Sequence, residues 1–319
     1  ETCFNPKNNI PLISFDMGGT STDVSRYGDG KFDHVFETTT AGVTIQSPQL
    51  DINTVAAGGG SILTFKNGLF QVGPESASSQ PGPACYRKGG PLTITDANLF
   101  LGRLLPQYFP KIFGPNENES LDYAASEARI LEITDQINKA NHNNKPMTPH
   151  EVANGFITVA NETMSRPIRQ FTEARGFTTA SHRLVSFGGA GGQHSVAIAA
   201  SLGISTVLIH RYSSVLSAYG MALADVVEDI QEPSSMAFSD DNKSALEERI
   251  ASLKEKACES LKLQGFKDSD IFFEEYLNLR FKGTEAGIMV SKSEDAWDFK
   301  DNFFKLHKRE FGFIFDKDI

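Results

Sequence analysis

The chain has 319 residues, and its 30 basic and 40 acidic side chains give a formal net charge of −10. This acidic balance argues against nucleic acid and anionic membranes as the main partners, and no apolar run is long enough to cross a bilayer. The three cysteines, Cys3, Cys85 and Cys258, are odd in number and too widely spaced for a disulfide framework. We therefore expect a cytoplasmic globular protein with one large α/β unit or two domains.

A β-hairpin with a glycine-rich tip is predicted near the start of the chain. The apolar run 12–15 is typical of a buried strand that leads into Asp16, and a return strand begins after Asp23. Glycine lets the backbone approach a phosphate, and successive N–H groups in such a turn attract an anion. Asp16 and Asp23 flank the tip and are candidate Mg²⁺ ligands and catalytic residues. The alternative is an ordinary tight hairpin with Asp at its ends. The residues assigned to the phosphates are Gly18, Gly19, Thr20 and Thr22.

Residues 58–60 and 73–91 have compositions that are typical of turns and loops. Three adjacent glycines at 58–60 fit either a flexible turn or a close approach of the backbone to something else. A loop rich in Pro, Gly and Ser over 73–91 contains Cys85. Asp96 is predicted to end a short strand and to cap a helix over 97–105.

Two longer helices are predicted over 120–141 and 148–175. The second begins with a capping box made by Thr148 and Glu151. Pro167 is expected to kink or interrupt it.

A second glycine cluster lies between a predicted strand at 183–187 and a helix of small residues at 195–202. A strand at 206–209 completes a βαβ-type unit with a parallel sheet. Bare backbone at a helix start favours a nucleotide, although the glycines do not follow the G-x-G-x-x-G spacing. Tight packing between strand and helix is the alternative. The residues assigned to the nucleotide are Gly188, Gly189, Gly191 and Gly192.

An acidic, Pro- and Ser-rich stretch over 226–241 indicates a domain edge. We expect one domain over residues 1–228 and a smaller α+β extension over 229–319. The elements predicted in the extension are a helix at 242–262, strands at 272–281 and 286–290, and a helix at 297–311.

Five motifs are specific in combination. They are Phe-Asp-Met-Gly-Gly-Thr-Ser-Thr-Asp-Val at 15–24, Leu-Asp-Ile-Asn-Thr-Val-Ala-Ala-Gly-Gly-Gly-Ser at 50–61, Pro-Gly-Pro-Ala-Cys-Tyr at 81–86, Thr-Ile-Thr-Asp-Ala-Asn at 93–98 and Phe-Gly-Gly-Ala-Gly-Gly-Gln-His at 187–194. Together they resemble the hydantoinase A / 5-oxoprolinase family, and more closely its eukaryotic ATP-dependent branch. The resemblance covers nearly the whole chain. It implies an α/β lobe of the actin, Hsp70 and sugar-kinase type, in which ATP lies between two lobes.

The resemblance also implies roles for the two glycine clusters. Residues 16–23 match the second phosphate hairpin of that fold, and residues 188–192 match its adenosine turn. The family's N-terminal lobe, with its own phosphate hairpin, and its hydantoinase-B-like half are not in this sequence. We therefore expect a fragment that is inactive by itself, from a protein that is a homodimer at full length.

The implied activity is hydrolysis of 5-oxo-L-proline to L-glutamate coupled to ATP hydrolysis, within the γ-glutamyl cycle of glutathione. Phosphorylation of the amide oxygen would activate a lactam that otherwise resists water, so the protein contributes mainly positioning and charge neutralisation. ATP and Mg²⁺ are the implied cofactors. Two alternatives stay open: a hydantoinase or ketone carboxylase subunit of the same family, and a non-catalytic lobe that only binds nucleotide.

Three further polar residues lie in or beside the motifs: Cys85, Asp96 and His194. A thiolate, a carboxylate and an imidazole together could bind a second divalent metal of the Zn²⁺ type, with Asp16 as a further candidate ligand, or act as nucleophile and acid/base. We expect the three to converge at the carboxyl edge of the sheet. The alternatives are a helix cap for Asp96, a buried apolar role for Cys85 and a first-turn position for His194.

Overall fold

A computed structural model describes residues 9–40, 43–140, 145–293 and 296–319. Its strands are β1 (Leu12–Met17), β2 (Thr22–Gly28), β3 (Lys31–Phe32), β4 (His34–Thr40), β5 (Val43–Leu50), β6 (Ile52–Val55), β7 (Ser61–Lys66), β8 (Leu69–Ser76), β9 (Arg183–Phe187), β10 (Val207–Ile209), β11 (Tyr276–Leu279) and β12 (Ile288–Ser291). Its α-helices are α1 (Ile94–Phe100), α2 (Tyr123–Ala140), α3 (Pro149–Phe171), α4 (Ser195–Ser201), α5 (Leu216–Leu223), α6 (Lys243–Leu263) and α7 (Phe299–Phe311). None of the described helices has the length and apolar character needed to cross a membrane.

The central sheet is mixed and runs in the order β10-β9-β1-β2-β3, with β6 also paired to β2. β1 pairs with β9 and β9 with β10 in parallel, whereas β1 and β2 form the expected antiparallel hairpin. The predicted parallel βαβ unit is confirmed, because α4 connects β9 to β10.

The hairpin strands alternate between a buried apolar face and a polar face. Ile13, Phe15 and Met17 of β1 are fully buried, whereas Ser14 and Asp16 point to the opposite side, as the period of two in a strand requires. The apolar face joins the main core, to which α3 contributes a row of fully buried side chains: Val152, Phe156, Ala160 and Met164.

Helix α3 begins as predicted. Glu151 Oε2 accepts from the Thr148 backbone N–H over 2.7 Å, and Thr148 Oγ1 accepts from the Glu151 N–H over 3.3 Å. These bonds satisfy donors that a helix start leaves unpaired. Pro167 lies inside the helix, which continues to Phe171, so of the two expected effects the interruption is absent and the kink stays a prediction.

Helix α1 begins three residues earlier than the sequence indicated. Thr93 is its N-cap, and Asp96 lies inside the first turn, where Oδ2 accepts from the Thr93 backbone N–H over 2.9 Å. Instead of a strand ending at Asp96, there is a single bridge between Ile62 and Thr93. The β-branched residues at 93–95 suggested a strand, but capping and burial override that weak local preference.

The chain divides into two compact units. The first comprises Glu1–Asp33, Ile52–Glu173 and Thr178–Ala222, and the second comprises His34–Asp51, Ala174–Phe177 and Leu223–Ile319. The second unit has its own aromatic core, in which Phe281, Phe299 and Phe303 are almost fully buried. The domain boundary at residue 228 stays a prediction, and the compact units differ from it by placing two earlier segments with the later part of the chain.

Candidate functional site

The tip of the hairpin is bare backbone. The Gly18 N–H donates to the Ser21 carbonyl over 3.0 Å, which closes the turn between β1 and β2. Gly19 and Thr20 are exposed, and a Cβ added at Gly19 would meet no atom within 4 Å. Within the part of the chain that the structure describes, no acceptor takes the N–H of Gly19 or Thr20. The tip can therefore present two unpaired donors to an anion.

The two hairpin carboxylates share one face of the sheet. Asp16 and Asp23 are direct cross-strand partners in the register of β1 and β2. Each carboxylate accepts one hydroxyl hydrogen bond, Asp16 from Ser217 over 2.7 Å and Asp23 from Thr54 over 2.5 Å. Like charges directly opposite each other destabilise a sheet, so this pair favours a cation in front of it.

The second glycine turn lies against the hairpin. Gly188 has φ +79°, and a Cβ added there would meet the Asp16 carboxylate and would lie 2.5 Å from the Met17 carbonyl oxygen. The Ala190 N–H donates to the same Met17 oxygen over 2.9 Å. At Gly189, an added Cβ would meet no atom within 4 Å. The two turns predicted to bind phosphate and nucleoside are therefore neighbours, and the second also offers open backbone.

The glycine run at 58–60 makes backbone hydrogen bonds to the hairpin tip. Gly59 and Gly60 donate their N–H groups to the Gly18 and Gly19 carbonyls over 3.1 and 2.6 Å. A Cβ added at Gly58 would lie 2.7 Å from the backbone of the tip. The close-approach interpretation of this run is thus confirmed. The run is also a turn, which the Ser61 N–H closes by donating to the Gly58 carbonyl over 3.0 Å.

Asp96 accepts hydrogen bonds from the surrounding backbone and from hydroxyl groups. It is fully buried, and its Oδ1 accepts from the Cys85 backbone N–H over 2.8 Å and from the Ser126 hydroxyl over 2.7 Å. Its Oδ2 accepts from the backbone N–H groups of Ala84 and Thr93. A buried carboxylate with this many donors stabilises the loop before α1.

Cys85 is also fully buried. Burial, and then the charge of Asp96, raise the pKa of the thiol far above its usual range. The thiol therefore stays protonated, which suits neither a nucleophile nor a metal ligand. The apolar role is the one that its environment supports, since it packs in a cluster with Leu99, Leu104 and Phe113.

His194 lies apart from Cys85 and Asp96 in its contacts. Its ring bonds to Asn98 and Asn161 instead, over 2.9 and 2.7 Å. Burial, and then the positive charge of Arg103, lower the pKa of His194 to about 4, so the ring is neutral at physiological pH.

The structure places Cys85 beside Asp96 but gives His194 other partners, so it does not bring the three together as one metal site. Among the described residues, no group of three or more His, Cys, Asp and Glu side chains is arranged to hold a metal ion. The donors do not fit Zn²⁺, because the Asp96 oxygens and both His194 ring nitrogens already have protein hydrogen-bond partners. The pairing of Asp16 and Asp23 fits Mg²⁺ better, since that ion needs only one or two carboxylates beside phosphate oxygens and water.

Ser217 and Asn161 lie near these groups, and the sequence did not single them out, because each is an ordinary polar residue outside the motifs. Thr54 and Asn98 lie inside the motifs at 50–61 and 93–98, but the sequence indicated no separate role for either.

The chain is similar to known proteins over almost its whole length. The family model described as hydantoinase/oxoprolinase matches residues 2–230. A 5-oxoprolinase of Saccharomyces cerevisiae is 61% identical over 317 residues, which cover 99% of this chain and 24% of the relative. A 5-oxoprolinase of Dictyostelium discoideum is 58% identical over 306 residues, covering 95% of this chain and 24% of the relative. This chain thus spans about a quarter of the length of these curated relatives.

A solved structure extends the comparison to the fold. The crystal structure of the ATP-dependent caprolactamase from Pseudomonas jessenii matches with a TM-score of 0.78 and 29% identity, covering 98% of this chain and 45% of that chain. Together with the mixed sheet and its helices, this match confirms the expected fold class, an α/β lobe of the actin, Hsp70 and sugar-kinase type. The family match, which covers more than half of the chain, shows that the chain belongs to the hydantoinase/oxoprolinase family.

Proposed function

We propose that this chain forms the nucleotide-binding part of an ATP-dependent lactam hydrolase whose substrate is 5-oxo-L-proline. The observation that carries the proposal is the direct contact between the two glycine turns. The Ala190 N–H of one turn bonds to the Met17 carbonyl at the base of the other. A single nucleotide can therefore reach both turns at once, with its phosphates at the hairpin tip and its nucleoside at the second turn.

The hairpin tip supports the phosphate assignment. Gly19 and Thr20 carry unpaired N–H donors among the described residues, and such donors neutralise developing charge on a transferring phosphate. Asp16 and Asp23 would hold Mg²⁺ together with phosphate oxygens and water. When bound, Mg²⁺ would offset both the carboxylate repulsion and the phosphate charge.

The second turn supports the nucleoside assignment. At both Gly189 and Gly192, an added Cβ would meet no atom within 4 Å, so the backbone faces open space. A flat base or a ribose can approach such a surface closely, whereas a side chain there would keep it away.

The substrate proposal rests on the relatives and on the chemistry of amides. The two relatives described above are named 5-oxoprolinases, and the solved structure described above is named an ATP-dependent caprolactamase. Both names refer to lactams. A lactam resists water at neutral pH, and phosphorylation of its oxygen gives a species from which ring opening is easier. The balanced reaction consumes one 5-oxo-L-proline, one ATP and two waters and gives one L-glutamate, one ADP and one phosphate: one water opens the lactam, and the other releases the phosphate.

The test is a coupled assay with the natural full-length polypeptide that contains these residues. We expect phosphate release that depends on 5-oxo-L-proline, with one glutamate formed for each phosphate. Turnover of hydantoin, or of acetone with bicarbonate, in place of 5-oxo-L-proline would overturn the substrate assignment. ATP binding without turnover of any of these compounds would favour the non-catalytic lobe instead.

A further inference from the structure

A buried polar cluster connects three helical segments beside the second glycine turn. Asn98 belongs to α1, Asn161 belongs to α3, and His194 is the N-cap residue of α4. Asn98 and His194 are both fully buried. The His194 ring joins the two amides through Nε2 to Asn98 Nδ2 over 2.9 Å and through Nδ1 to Asn161 Oδ1 over 2.7 Å.

The cluster fixes one tautomer of the imidazole. The Asn161 oxygen can only accept, so Nδ1 must carry a hydrogen. The Asn98 amide nitrogen can only donate, so Nε2 must be unprotonated. Only the neutral form with hydrogen on Nδ1 satisfies both bonds, and the ring orientation is fixed by them.

Stability alone does not explain why this cluster is polar. Asn98 Oδ1 and Ser195 Oγ are buried without a hydrogen-bond partner among the described residues. An unsatisfied buried polar atom costs free energy, and apolar side chains of the same shape would avoid that cost. Because the cluster is polar in spite of this cost, we infer that the protein requires a fixed orientation and position of the His194 ring.

Helix α1 contacts the glycine run at 58–60, which bonds to the hairpin tip, and His194, which follows the second glycine turn. At its first turn, Thr95 donates to the Gly59 carbonyl through both its N–H and its hydroxyl, each over 2.8 Å. Gly59 in turn donates to the Gly18 carbonyl at the hairpin tip. One helical turn later, Asn98 bonds to His194, which directly follows the second glycine turn. Helix α1 therefore connects the two turns by a second route, through Gly59 and His194, beside the direct bond from the Ala190 N–H to the Met17 carbonyl.

We propose that Asn98 and Asn161 are positioning residues that hold His194, and with it the 188–192 turn, at the distance from the hairpin tip that ATP requires. They act through His194 and do not touch the nucleotide. The inference rests on the proposed function, because it concerns the ATP site described there. It assigns His194 a role in positioning, in place of a role in acid/base chemistry or metal binding.

The experiment compares Asn98→Leu and Asn161→Leu with Thr134→Val in the full-length polypeptide. Thr134 is a matched control, because its buried hydroxyl also makes a hydrogen bond, to the Ile130 carbonyl within α2. We expect each Asn variant to raise the KM for ATP about tenfold, with the KM for 5-oxo-L-proline unchanged. The control should lower the melting temperature by a similar amount without changing either KM.

A second measurement determines the tautomer of His194 in the wild-type protein. The ¹⁵N shifts of histidine-labelled wild-type protein report which ring nitrogen carries hydrogen, and the His194 signal is assigned by its loss in His194→Gln. We expect the Nδ1–H form in wild type and a mixture of tautomers in the Asn variants. The Nε2–H form in wild type would overturn the proposed cluster.

The outcomes separate this inference from the proposed function. If wild-type protein binds no ATP, the proposed function fails and the inference fails with it. If wild type and both Asn variants have the same KM for ATP, the inference alone is overturned. The same holds if KM for ATP and KM for 5-oxo-L-proline rise together, because a general loss of structure would then explain the effect.

Discussion

The Ser217 hydroxyl donates a hydrogen bond to Asp16 Oδ2 over 2.7 Å, although the two residues are 201 positions apart in the chain. Ser217 belongs to α5, so a helix far along the sequence fixes the rotamer of a carboxylate beside the hairpin tip. The bond leaves the other oxygen, Oδ1, next to Gly188. Asp16 is thereby held between the two glycine turns.

Asp16→Asn should lower the turnover of 5-oxo-L-proline by a factor on the order of 10², or about 3 kcal/mol of transition-state stabilisation. The change keeps the size of the side chain but removes the charge proposed to hold Mg²⁺. The measurement is kcat/KM for lactam-dependent phosphate release. Asp29→Asn is the matched control. Asp29 is an exposed residue in the turn between β2 and β3, and among the described side chains it bonds only to Asn9. Equal activity in both variants would show that Asp16 is only a turn residue.

Gly188→Ala should abolish ATP binding and destabilise the fold by about 2 kcal/mol or more, because the new Cβ is strained and has no space. Its φ is +79°, and the Cβ would lie 2.5 Å from the Met17 carbonyl oxygen. Gly203→Ala provides the control, since Gly203 has φ +70° but its Cβ would meet only Ala180, at 3.5 Å. Equilibrium binding of ATP should be normal in the control and absent in Gly188→Ala. Normal binding in both would remove the second turn from the site.

Stability should fall in mild acid because of His194. The pKa of its buried ring is lowered to about 4, whereas an unfolded histidine titrates near 6.5. Between these values the unfolded chain binds a proton that the folded chain excludes, so the contribution of neutral His194 is complete above about pH 6.5 and is lost as the pH falls. By pH 5 the loss is about 2 kcal/mol.

Urea unfolding of wild type and His194→Gln at pH 7.5 and pH 5 measures this contribution. The free energy of unfolding should fall more steeply with acid in wild type than in the variant. The variant will keep a smaller dependence, because burial, and then Arg26, also lower the pKa of His182. Identical slopes would show that His194 is not buried in a neutral form.

Cys85 should be inert in the folded protein. Burial raises the pKa of its thiol, and thiolate is the form that alkylating reagents attack. Brief treatment with iodoacetamide at pH 8 should therefore modify the partly exposed Cys258 and leave Cys85 unmodified, as peptide mass spectrometry can show. Cys85→Ala should keep turnover within about threefold of wild type. Rapid labelling of Cys85, or loss of turnover in that variant, would restore it as a catalytic candidate.

Local patterns predicted the elements whose structure is decided locally. Three such elements depend on neighbours in sequence and are present as predicted. They are the strand at the apolar run 12–15, the capping box at Thr148 and the glycine-rich turn after the strand at 183–187. The start of α1 was misplaced, because Thr93 and Thr95 are β-branched and the burial that overrides this preference comes from distant segments.

The candidate site could be predicted only in part for the same reason. The glycines at 18–19 and 188–192 predicted where a ligand could approach the backbone, because few other residues permit such a close approach. The partners of Asp16, Asp23 and His194 could not be predicted, because Ser217, Thr54 and Asn98 reach them only through the tertiary fold. The hydrogen bonds of Asp96 could not be predicted either, because a buried structural carboxylate and a catalytic one have the same sequence signature.

The most direct test is a structure of the full-length polypeptide with Mg²⁺ and a non-hydrolysable ATP analogue. The account predicts that the Gly19 and Thr20 N–H groups donate to phosphate oxygens, with Mg²⁺ beside Asp16 and the nucleoside along residues 188–192. A nucleotide bound elsewhere, with the hairpin tip covered by another part of the protein, would contradict it.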